Sequence, residues 1–221
     1  MKATLLFTLS FLLFALTTYF PLASTKYVYD TEGYPLAPGY KYYLVQTSTS
    51  GQEGGALILG DEFAEIEQVQ EDPECPLTVL QEFCDETDGL AVTFNVSGGG
   101  FQLIEDTTNV EIEFVNKPNC AQSSKWLLVT NFFRFHTNWI SIGSLEDLGD
   151  IQIIGSEFNI QEQGEGYKFV FYAKWARTYF DVKRFNDVNG RRLVANDIEN
   201  KKYHPFEVQF VNAKLYGRSV V

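Results

Sequence analysis

An all-β fold of about twelve strands in a single domain is what this 221-residue sequence predicts, on three observations. Apolar runs of four to six residues recur at even spacing, with Gly-rich or Asn-Gly turn signals between them. No window of eleven or more residues keeps the 3.6-residue period of an amphipathic helix, so no helix is expected. A single Met stands beside 19 Phe and 12 Tyr, a choice of apolar residues that suits pleated surfaces better than a helical bundle. With 45% hydrophobic residues the chain is too apolar for disorder, and such even strand spacing reads as a barrel or other closed β fold.

The first element is an address. Met1-Lys2 is a short positive region, Leu5–Phe20 is almost wholly apolar, and Pro21-Leu22-Ala23-Ser24 offers small residues for cleavage. Thr8, Ser10, Thr17 and Thr18 dilute the run below what a membrane anchor requires. Residues 1–24 are therefore expected to be a secretory signal peptide, and residues 25–221 the mature domain, outside the cell or in a vacuole. Cleavage removes one of the 17 basic residues, Lys2, and none of the 29 acidic ones, so the net charge moves from −12 to −13. That balance argues against nucleic acid and anionic membranes as partners, since both need clustered Lys and Arg.

The strands follow in order. Tyr40–Val45 leads to the turn Gly51–Gly55, and Ala56–Leu59 and Leu77–Glu82 come next. Asp88-Gly89 introduces Leu90–Val96, and Gly98–Gly100 separates it from Phe101–Ile104 and Val110–Val115. Trp126–Thr130, Ile151–Ile154 and Phe158–Gln161 precede the turn Gly164–Gly166. Lys168–Phe171 and Tyr179–Val182 then lead to Asn189-Gly190, a strong hairpin signal, before Leu193–Ala195 and Phe206–Phe210.

Three cysteines in a secreted chain allow one disulfide. Cys75 and Cys84 lie nine steps apart along an extended segment, beyond the ~7 Å that a bridge tolerates. Cys120 is thus paired, with Cys75 or with Cys84. Catalytic patterns are missing: there is no H-E-x-x-H, G-x-S-x-G, P-loop or G-x-G-x-x-G. His136 lies among phenylalanines and reads as a strand residue. The acidic run Asp61, Glu62, Glu65, Glu67, Glu71, Asp72 and Glu74 lacks the spacing and glycine of a calcium loop. No enzyme, metal site or cofactor is expected.

Four ordered motifs carry a family resemblance. Val28-Tyr29-Asp30-Thr31-Glu32-Gly33-Tyr34-Pro35-Leu36, followed after five residues by Tyr42-Tyr43-Leu44, resembles the N-terminal signature of plant Kunitz-type (soybean trypsin inhibitor-like) proteins. Tyr34 departs from it, standing where the family usually has a polar or charged residue. Cys75-Pro76-Leu77-Thr78-Val79-Leu80-Gln81 is similar to the family's first-cysteine strand, and Cys120 with Trp126 to its partner region. Asn189-Gly190-Arg191-Arg192-Leu193-Val194 and Pro205-Phe206-Glu207-Val208-Gln209-Phe210 are similar to its closing strands. The resemblance implies a β-trefoil of twelve strands, a monomer, and a protease as partner, as in plant defence.

It also implies sites. The disulfide becomes Cys75–Cys120, closing about 46 residues and worth ~4 kcal/mol in the chain-entropy model, with Cys84 a free thiol. The reactive loop falls on Ser97, Gly98, Gly99, Gly100, Phe101 and Gln102, with the P1 position on or beside Gly100. Such a loop inhibits because the scaffold already holds it in the bound shape. Here it has no Lys or Arg for a trypsin-like pocket, and three glycines enlarge its free ensemble. The Asn that often braces this loop in the family is replaced near Pro38. The family's second disulfide is absent from the stretch Phe171–Tyr179, where Lys174, Trp175 and Arg177 form a possible second contact loop. Asn95-Val96-Ser97 is a glycosylation sequon at the mouth of the first loop. The expected protein is a protease inhibitor-like protein weak or silent on trypsin, or else a non-inhibitory defence, storage or ligand-binding trefoil. The Q-x-W pattern of ricin-like trefoils is absent.

Overall fold

The computed structural model describes residues 25–47, 55–60, 75–83, 89–133, 135–187 and 190–216. The expected signal peptide, Cys84 and the acidic run 61–74 lie outside the described residues. Fourteen strands are described: β1 Lys41–Gln46, β2 Leu57–Gly60, β3 Thr78–Gln81, β4 Val92–Val96, β5 Val110–Phe114, β6 Trp126–Asn131 and β7 Phe135–Ile142. After them come β8 Gln152–Gly155, β9 Asn159–Gln163, β10 Gly166–Ala173, β11 Thr178–Asp187, β12 Gly190–Asn196, β13 Tyr203–Pro205 and β14 Val208–Asn212.

Their pairing is a β-trefoil. Six strands close a ring: β1 pairs with β4, β4 with β5, β9 with β10, β10 with β14, and β14 with β1. The remaining gap, β5 to β9, is closed by a bridge of Val110 to Phe158, with reciprocal N–H···O bonds of 2.8 and 2.9 Å. Three hairpins, β2–β3, β6–β7 and β11–β12, cap one end, and β3, β7 and β12 pair with one another in a triangle. Each third of the chain supplies two ring strands and one hairpin. β8 runs beside β6 and β13 beside β11.

Period-2 alternation drives the ring. In β5, Val110, Ile112 and Phe114 point inward and are buried, while Glu111 and Glu113 face out. Inside, Phe94, Phe169 and Phe210 meet at centroid distances of 5.7–6.5 Å, and Tyr42 and Trp126 join them. Gly166 lets β10 approach β14, since a Cβ there would stand 2.5 Å from the Val208 carbonyl oxygen.

Three expectations need correction. The strand expected at Phe101–Ile104 does not form, because Ile104 hydrogen-bonds to Leu36 and Val28 in a loop exit instead of running along a neighbour. β7 was not expected: its last four residues are all buried, so alternation fails, and the buried Ser141 hydroxyl is satisfied by the Leu77 carbonyl at 3.0 Å. Two four-residue helices also exist, α1 Leu145–Leu148 and α2 Ala213–Tyr216. α1 is set by a capping box between Ser144 and Asp147, a signal too local for a period search. At the Asn-Gly signal the hairpin forms with Asp187 paired to Gly190.

The cap also contains charge. Arg184 is completely buried; its guanidinium donates to the Pro205 carbonyl at 2.9 Å and to the side-chain oxygens of Gln46 and Gln81. Burial, reinforced by neighbouring Arg191, lowers its pKa to about 10. Arg192 is neutralised by Asp187 at 2.7 Å and lies over the Phe135 ring.

Candidate protease-contact loops

The loop between β4 and β5 is anchored at its base and open at its tip. Val96 pairs with Val110, and the Ser97 N–H reaches the Asn109 carbonyl at 3.1 Å. On the exit side, fully buried Ile104 donates to Leu36 O at 3.0 Å and accepts from Val28 N–H at 2.9 Å. Between these anchors, Gly98, Gly99 and Gly100 all take positive φ, of 99°, 78° and 105°. Each has open space where a Cβ would stand. The backbone itself demands glycine here, because an L-residue rarely adopts this conformation. Three such residues form a turn, so an extended, substrate-like stretch can begin only after Gly100.

Phe101 is the first residue past that turn and is 76% exposed. It is the one aromatic side chain of the loop, and no cation lies between Val96 and Asn109. Among the described residues, no side chain hydrogen-bonds to the main chain of Gly98–Leu103; the one internal bond is Gly99 N–H to Val96 O at 3.2 Å. The turn at Pro38 touches β4 through the Gly39 N–H to Phe94 O bond, 3.2 Å, and contributes no amide side chain to the loop. Asn95 is exposed on β4, opposite Glu111.

The second expected loop is the tip of the β10–β11 hairpin. Lys174, Trp175, Ala176 and Arg177 are all exposed, and the Ala176 N–H to Ala173 O bond of 3.1 Å turns the chain. Arg177 has φ of 51°, the one non-glycine residue at positive φ among those described. Trp175 is 61% exposed yet rests on two buried rings, Phe171 at 6.2 Å and Phe180 at 6.0 Å. Asn109, the last residue before β5, lines the same cavity as Lys174 and Trp175. The base of the first loop and the second tip are thus neighbours, a proximity that 65 intervening positions conceal from any local pattern.

Cys75, just before β3, is bonded to Cys120 in the β5–β6 connection, with Cα atoms 5.8 Å apart. It ties the first cap hairpin to the second third of the chain. No group of three or more His, Cys, Asp or Glu that could hold a metal occurs among the described residues.

Comparison with known proteins gives a consistent picture. The legume Kunitz family of trypsin and protease inhibitors matches residues 28–212. A Kunitz-type trypsin inhibitor-like 2 protein of Pisum sativum is 39% identical over 215 residues, covering 94% of this chain and 92% of the relative. The subtilisin inhibitor CLSI-II of Canavalia lineata is 32% identical, covering 87% and 95%. The solved structure of MP-4 from Mucuna pruriens superimposes with a TM-score of 0.71 at 36% identity, over 85% of this chain and 99% of that one.

Proposed function

We propose, from the premise that this chain belongs to the legume Kunitz family of trypsin and protease inhibitors, that it is a secreted, non-enzymatic protease-binding protein silent on trypsin. Where its first loop engages a protease, the target is one with an apolar primary pocket. The observation that carries this reading is Phe101, exposed at the end of a glycine turn in a loop without any cation. A trypsin-like pocket is selected by pairing its Asp with a P1 Lys or Arg, and nothing in Ser97–Gln102 can make that pair. A phenyl ring instead suits an apolar pocket, and a subtilisin inhibitor is among the relatives. Affinity is limited by the unbraced glycines, whose ordering costs about 0.5–1 kcal/mol each relative to alanine.

A second reading keeps the scaffold and gives up inhibition: a defence, storage or ligand-binding trefoil. The glycine turn favours it, since preorganisation is what an inhibitory loop requires. The purified mature protein, assayed against trypsin, chymotrypsin, subtilisin and representative cysteine and aspartic proteases, separates the two. The expected result is no trypsin inhibition, with weak inhibition of chymotrypsin or subtilisin that Phe101→Ala abolishes and Phe101→Arg redirects to trypsin. Potent trypsin inhibition by the unaltered protein overturns the reading, unless replacing Lys174 and Arg177 by Ala removes it, which assigns it to the second tip. Inhibition of none of the panel leaves the non-inhibitory trefoil.

A further inference from the structure

Two cavities lie side by side under Trp175, and the indole is the wall between them. The first, of about 380 Å³, is lined by Asn109, Asn159, Ser156, Glu157, Phe171 and Lys174, among others. The second, of about 450 Å³, is lined by Thr130, Phe132, Asn138, Gln152 and Phe180. Ile154 and Trp175 belong to both. Each is within the size range of small-ligand sites. The walls come mainly from strands β6 to β11 and the loops between them, so ring and cap together fix them. Gly155 is part of this fit: a Cβ there would stand 2.9 Å from the Phe171 ring that supports Trp175.

We propose that this groove binds a neutral oligosaccharide laid across Trp175. Three features select that chemistry. First, the indole is exposed on one side and propped by Phe171 and Phe180 on the other, a rigid apolar platform of the kind that stacks on the C–H face of a pyranose ring. Second, the polar groups are mainly amides and hydroxyls, which pair with sugar hydroxyls as both donors and acceptors. Asn159 spends its amide N–H groups on Thr108 O and Asn109 Oδ1, both at 3.0 Å. Its own Oδ1 and the Asn109 amide nitrogen are then left for a ligand. Thr130 lines the second cavity, and its buried hydroxyl has no hydrogen-bond partner among the described residues, the kind of group that a small rotation would offer to a ligand or water. Third, the charges are balanced: Glu157 and Lys174 share the first cavity, and the described residues of the second carry none. A charged ligand finds no net attraction, and a wholly apolar one would strand the amides.

The proposal does not depend on the protease reading, since no residue of Ser97–Gln102 lines either cavity. Trp126 and Trp139 are fully buried, so a change in tryptophan emission on ligand addition reports Trp175. The mature protein is titrated with cellohexaose, the N-acetylglucosamine hexamer and maltohexaose, by fluorescence and by calorimetry. The expected result is saturable binding of at least one of the three. Trp175→Ala should weaken it about tenfold or more, the scale of a lost aromatic contact, while the variant stays folded at the assay temperature, as far-UV circular dichroism checks. Thr130→Val, which keeps the shape and removes the hydroxyl, should weaken binding as well, and Phe101→Ala should leave it unchanged while removing any protease inhibition. No saturable binding of any of the three at millimolar concentration overturns the proposal, as does binding that survives Trp175→Ala or is lost in Phe101→Ala.

Discussion

Arg184 and Tyr42 show how burial sets opposite pH responses in one core. Burial lowers the Arg184 pKa to about 10, so between there and the higher ordinary arginine value the folded state holds fewer protons than the unfolded state. Stability contributed through this group therefore rises as pH increases across that window. The Tyr42 phenol is raised, first by burial, so the folded state holds more protons and its contribution falls as pH climbs past the ordinary tyrosine value of 10.0. Denaturant titrations from pH ~9 to ~11 should show wild-type stability rising relative to Arg184→Gln and falling relative to Tyr42→Phe; parallel curves would refute both assignments. Asn95 belongs to the same scale. It is exposed on β4, and its sequon is expected to carry a glycan that obstructs the ~800 Å² a docking protease needs. Intact mass should fall on deglycosylation and be unaffected by that treatment in Asn95→Gln; an unmodified Asn95 removes the obstruction from the account of this loop.

Among the elements, the disulfide and the strand ends matter most. The Cys75–Cys120 bond ties the entry to β3 to the β5–β6 connection, 45 positions away. Replacing both cysteines by Ser should cost ~4 kcal/mol, read as a lowered denaturation midpoint. Unreduced peptide maps should link these two cysteines and leave an alkylatable thiol at Cys84. A map that joins Cys84 to Cys120 would contradict the bond. Strand existence was legible at this scale wherever one face is wet, as in β5. It was illegible in β7, because burial on both faces erases the alternation that marks a strand. The false strand at Phe101–Ile104 has the converse cause: an apolar run that serves as a loop anchor, with Ile104 buried and Phe101 exposed.

For the molecule as a whole, ring closure is the vulnerable step. β5 meets the β9 side through one bridge, Val110 to Phe158, and the buried Phe158 ring packs at 5.8 Å from Phe171. Phe158→Ala should destabilise the protein by about 3–5 kcal/mol, as deletion of a buried aromatic does, measured by chemical denaturation. A loss under about 1 kcal/mol would mean that the neighbouring pairs close the ring without it. The residues by themselves determined the all-β class, the β-strand spacing and the lack of any cation in the first loop, because alternation, turn chemistry and charge are local properties. Together with the family resemblance they also led to the threefold fold. Only the tertiary structure decided the exposure of Phe101, the burial of Arg184 among neutral acceptors in the cap, and the meeting of Asn109 and Asn159 with Trp175. Those depend on pairings between segments far apart in the chain, whose entropy of closure is offset by packing that no local pattern encodes.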